Sequence, residues 1–150
     1  MTRFAANTSV PVERTRQEIE SVLRRYGADQ FVSGWENGRA MLGFRVQDRL
    51  VRFELPLPRE SDYKWKWNAT DLQKAKQINQ DERQRWRALL LVIKAKLEAV
   101  ESKIATFESE FLAHIVLPNN RTVGEMLIPQ LATVYATKTM PKLLGAGGEA

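Results

Sequence analysis

From Trp86 to Phe111, apolar side chains recur in steps of four and three: Trp86, Leu90, Ile93, Leu97, Val100, Ile104, Phe107 and Phe111. A helix turns once per ~3.6 residues, so this spacing lays all eight along one stripe. Held for nearly four heptads, the seam predicts one long helix, with Leu90, Leu97, Ile104 and Phe111 at a and Trp86, Ile93, Val100 and Phe107 at d. Arg87, Lys94 and Lys96 make its front basic; Glu101, Glu108 and Glu110 make its back acidic. Two antiparallel copies would match those charges, so a homodimer closed on the seam is one expectation. The other is closure within the chain, on its own sheet and C-terminal helix. Ala88 to Ile93 is apolar nearly all round, which favours the second.

The residues before the seam read as a small α+β unit. After a loose lead-in, Pro11 suits the start of a helix from Val12 to Tyr26, with Ile19, Val22, Leu23 and Tyr26 on one face and Gly27 as C-cap. A meander of three antiparallel strands follows. Gln30 to Trp35 is the first, Asn37-Gly38 permits a tight hairpin, and Arg39 to Val46 alternates strictly. After a turn at Gln47-Asp48-Arg49, Val51, Phe53, Leu55 and Leu57 point inward until Pro56 and Pro58 end the strand. One sheet face is thus apolar; the other carries Arg39, Arg45 and Arg52. A connector over 59–81 includes a helix capped by Asn68, with Asp71 three positions on, that runs to about Ile78. Lys76, Asn79 and Arg83 fall on the seam positions, which predicts a break or bend near Asn79–Asp81. A shorter C-terminal helix opens at the Thr122-x-x-Glu125 capping box and should be interrupted or kinked at Pro129, leaving residues 145–150 as a tail. The expected architecture is therefore α+β in one domain over 1–150: helix and meander over 11–58, connector over 59–81, helical part over 82–144.

Composition narrows the function. The 150 residues include no cysteine, which excludes disulfides and thiolate metal ligands and fits a reducing, cytoplasmic setting. No secretory signal and no apolar run near the ~20 residues of a membrane span is present. The net charge of +5 is unevenly placed. Residues 64–96 hold nine cations (Lys64, Lys66, Lys74, Lys76, Arg83, Arg85, Arg87, Lys94, Lys96) against three acids, or +6; residues 97–125 hold two against five, or −3. The basic end is where a phosphate backbone would lie. Within it, Tyr63-Lys64-Trp65-Lys66-Trp67 alternates rings with lysines. In an extended segment the rings share one side and the lysines the other, so bases can stack while ammonium groups hold phosphates; single-stranded nucleic acid uses both. The same three rings could instead cap the core.

Catalytic signals are absent. His114 is the only histidine and continues the seam beside Phe111 and Ile115, which suits a structural imidazole. Asp48 with Glu54, or Glu108 with Glu110, are acid pairs without a nuclease-like context, and no glycine-rich phosphate loop precedes a helix. No cofactor, metal or small-molecule substrate is indicated, and the expectation is a non-enzymatic protein.

The stretches Val12-Glu-Arg-Thr-Arg-Gln-Glu-Ile-Glu and Glu82-Arg-Gln-Arg-Trp-Arg-Ala-Leu-Leu-Leu-Val-Ile-Lys-Ala-Lys-Leu-Glu-Ala-Val-Glu resemble small proteins encoded by tailed phages and prophages. That resemblance implies a bacterial host's cytoplasm and phage DNA metabolism, and no particular mechanism. The order helix, three antiparallel strands, helix also resembles double-stranded-RNA-binding domains, from which the long 56–68 connector departs. Together these support a phage nucleic-acid-binding accessory protein of replication or recombination, with low sequence specificity and a bias to single-stranded DNA. Lys64, Lys66, Lys74, Lys76, Arg83, Arg85 and Arg87 would hold phosphates, Trp65 and Trp67 would stack bases, and Arg45 and Arg52 would extend the track. The alternative is an adaptor or dimeric scaffold that binds itself or a host protein through the seam.

Overall fold

The computed structural model describes residues 7–141; residues 1–6 and the expected 145–150 tail lie outside the described residues. Helix α1 (Val12–Arg25) is followed by strands β1 (Gln30–Glu36), β2 (Arg39–Val46) and β3 (Arg49–Pro56), then helices α2 (Asp71–Glu101), α3 (Phe107–Phe111) and α4 (Val123–Thr137). The strands form an antiparallel sheet in the order β1-β2-β3. Both hairpins close over two residues, Asn37-Gly38 and Gln47-Asp48, and all four adopt positive φ. That is the primed-turn twist that matches the twist of the flanking strands.

Strict alternation sets the two sheet faces. Ala40, Leu42, Phe44 and Val46 of β2 are buried beside Val51 and Phe53 of β3. Ile19, Val22 and Leu23 of α1 and Trp86, Leu89, Leu90, Ile93 and Leu97 of α2 join them in one core. Phe44, Phe53, Phe107 and Phe111 meet ring to ring at centroid distances of 4.7–6.4 Å. Helix α1 ends as expected, with Gly27 left-handed and the Ala28 and Gly27 amides bonding back to Leu23 and Arg24 carbonyls.

Two features of the seam are corrected. The expected break at 79–81 does not occur, because α2 is continuous from Asp71. Lys76, Asn79 and Arg83 on the seam positions mark a loss of burial, not of helix; the stretch has no Gly or Pro to stop it. Its cap is Thr70, reciprocated by Gln73, rather than Asn68. At the other end the helix stops at Glu101. The Lys103 and Ile104 amides bond the Val100 and Ala99 carbonyls while Lys103 turns left-handed (φ 61°), the same C-terminal motif as after α1 but with lysine in the glycine's place. Thr106 and Ser109 then cap each other's amides and start α3. Phe107 and Phe111 reach the core through this second helix, Val100 is half-buried, and Ile104 is 81% exposed in the link.

Helix α4 is not interrupted at Pro129: it continues to Thr137 past a residue that has no amide for the Glu125 carbonyl, and Arg121 Nη2 donates to that oxygen instead at 3.1 Å. Thr122 caps the Glu125 amide, but the Glu125 carboxylate turns to Arg52 and Arg121 rather than completing a box.

Candidate nucleic-acid interface

Eleven residues make just over three helical turns, so Lys74, Arg85 and Lys96 share one flank of α2. Lys76, Arg83, Arg87 and Lys94 recur at seven, four and seven and share the other. The buried row of Trp86, Leu90, Ile93 and Leu97 lies between the flanks. The cations of 64–96 therefore do not form one strip.

The first flank is engaged within the chain. Lys74 Nζ pairs with the Glu60 carboxylate at 3.0 Å, Arg85 donates to the Pro56 carbonyl, and Lys96 Nζ bonds the Glu110 carbonyl at 3.1 Å and its carboxylate at 3.4 Å. On the second flank Arg87 meets Glu18 at 3.0 Å and the fully buried Thr15 hydroxyl at 3.4 Å, and Arg83 donates to Gln80. Arg87 and Lys96 thus find within the chain the carboxylates that an antiparallel seam dimer would have supplied. Trp86, Leu90, Ile93 and Leu97 are at most 3% exposed, so the expected dimer seam is the protein's own core.

The sheet arginines are engaged as well. Arg45 makes two hydrogen bonds to Asp29, at 2.9 and 2.6 Å, which hold that carboxyl below its usual range and the guanidinium above its own. Arg52 bonds the Asn120 side chain and carbonyl and the Glu125 carboxylate, and Arg39 pairs with Glu54 at 3.3 Å.

The connector is different. Tyr63 and Trp65 fall on one side, as the alternation requires, and stack at 4.6 Å. Trp65 Nε1 donates to the Glu60 carbonyl at 2.9 Å and Lys74 Nζ sits 5.8 Å over its ring, so this indole is a half-buried strut. Burial and the bond to Asp81 push the Tyr63 phenol up to about 12. Trp67 leaves the row. The Ala69 amide bonds the Lys66 carbonyl at 2.9 Å, closing a turn with Trp67 at its tip, 97% exposed. Lys64, Lys66, Lys76 and Lys94 are exposed and make no hydrogen bond or ion pair among the described residues. Leu72, one turn into α2, is 72% exposed beside them in sequence. Lys94 and Leu72 were not among the expected contacts; the four-and-seven recurrence from Lys76 was the signal for Lys94.

The chain matches no family model, no curated protein and no solved structure.

His114 lies half-buried with its ring stacked 4.1 Å from Phe53; burial and then the Lys96 charge lower its pKa. No three His, Cys, Asp or Glu side chains gather at a metal-holding distance among the described residues, and no described helix is long and apolar enough to cross a membrane.

Proposed function

We propose that this chain is a non-enzymatic nucleic-acid-binding accessory protein that grips single strands, with little sequence preference, at the corner formed by Lys64–Trp67 and the first turns of α2. One observation carries the reading: Trp67, 97% exposed at a turn tip, follows Lys64 and Lys66, and all three lack partners among the described residues. A large apolar ring held in water is costly unless a partner covers it, and a base offers a π-face while the lysines meet the flanking phosphates. Lys76 lies one and a half turns into α2 and adds a third free ammonium group. The phage setting within this proposal rests on the sequence resemblance alone.

The contact is smaller than the eleven-residue track expected from sequence. Three phosphate contacts give a log K against log[salt] slope of about −2 for a single strand, whereas the seven connector and helix cations would give about −5. Titrating the full chain with a fluorescent oligothymidylate at several salt concentrations decides the matter. A slope near the smaller value, binding weakened by about 5- to 30-fold in Trp67→Ala and weaker binding to duplex are expected. Absence of binding at low salt, or equal binding by Trp67→Ala, would overturn the proposal.

A further inference from the structure

The outer sheet face, opposite the core, holds a trough of about 250 Å³ bordered by Val32, Met41, Leu50, Val116 and Asn120 and floored at Gly43. Val32, Met41 and Leu50 are 62%, 42% and 42% exposed. Gly34 and Gly43 lie on this face in mid-strand, opposite Met41 and Val32 in the register. Neither has the positive φ that would require glycine. A Cβ at Gly34 would meet nothing within 4 Å, and one at Gly43 only the Val51 carbonyl at 3.7 Å. Glycine weakens a strand interior and, besides bulges and bends, marks places where another backbone or ligand comes close.

Helix α4 has the matching surface. Met126 to Thr137 carries no charged side chain, and Ile128, Leu131 and Tyr135 are 62%, 50% and 81% exposed at steps of three and four. The charges around the trough are neutralised within the chain: Arg39 by Glu54, Arg45 by Asp29, Arg52 by Glu125. A covering segment therefore needs no charge of its own, and α4 has none past Glu125. The two surfaces adjoin, since Arg52 of β3 reaches Asn120 and Glu125 at the base of α4.

We infer that this face is a dimer interface in which the trough of each copy receives α4 of the other about a two-fold axis. Twelve helical residues span about 18 Å, too little for a helix pair alone to approach the ~800 Å² per partner of a stable interface. A reciprocal exchange uses helix and trough from both copies.

Sedimentation velocity of the full chain from about 1 to 100 µM tests this over the affinities such an interface supports. A dimer is expected, weakened at least about tenfold by Gly34→Val and by Leu131→Glu. Gly34→Val has room in the monomer, so its unfolding midpoint, compared at a concentration where both proteins are monomeric, should hold or rise while the dimer is weakened. The chain's lack of cysteine allows a pairing test: Met41→Cys mixed with Leu131→Cys should oxidise to a cross-linked heterodimer. A monomer throughout, a dimer indifferent to Gly34→Val, or cross-linking of either cysteine variant only with itself would overturn the inference.

Discussion

The sheet arginines and the connector lysines carry the same formal charge and differ in availability. Arg39, Arg45 and Arg52 project from the outer sheet face beside Glu54, Asp29 and Glu125, and each guanidinium has a carboxylate partner. Lys64 and Lys66 in the connector and Lys76 in the second turn of α2 are exposed, and they meet no acid among the described residues. The planar guanidinium fork suits fixed pairs; the ammonium, on a flexible stem, keeps its hydration. A net charge of +5 counts both groups alike, but only the free set can neutralise a phosphate.

That distinction is most strongly exposed at Arg52, whose side chain is 14% exposed and serves Asn120 and Glu125 together. Arg52→Ala should cost about 2 kcal/mol of stability in urea unfolding, the range for charged hydrogen bonds in partial burial, and leave the salt dependence of oligonucleotide binding unchanged. Trp67→Ala comes next. It should lose about 1–2 kcal/mol of single-strand affinity with no shift in unfolding midpoint, because the indole touches little in the chain. Smaller again, Lys66→Ala should flatten the salt slope by about 0.7 while Arg45→Ala, an equal change of charge, leaves it in place. Equal slopes from those two variants would erase the contrast between engaged and free cations.

The smallest effect is expected at His114. Burial keeps the folded imidazole neutral to a lower pH than the unfolded one, which protonates near 6.5. The unfolded state then binds more protons below that pH, so the stability contributed by His114 is complete above it and is lost as pH falls toward the folded pKa. Melting at pH 7.5 and 5.5 should show the drop, and His114→Phe should remove that part of it.

Local order was widely legible. Period-two alternation identified β2 to the residue, Asn37-Gly38 announced its hairpin, and Gly27 announced the end of α1, because each signal acts over a few neighbouring residues. The end of α2 was hidden for a related reason: Lys103 occupies the left-handed position without being glycine, and the four-three recurrence carries on across the link into α3. Phe107 and Phe111 satisfy the same core from a different helix, so an unbroken pattern concealed a broken backbone. In the candidate site, the composition of 64–96 showed that cations were plentiful. It could not show that Lys74, Arg85, Arg87 and Lys96 would be claimed by Glu60, Pro56, Glu18 and Glu110, which lie 14 to 69 residues away in the chain.

By itself the amino-acid order determined α1, the three strands, their faces and the surplus of positive charge, since propensity, capping and periodicity operate between near neighbours. Which tryptophans stay in water, which lysines remain unpaired, and that the seam closes on the chain's own sheet were decided by tertiary packing alone. Pairing a charge or covering a ring depends on what distant segments bring within a few ångströms.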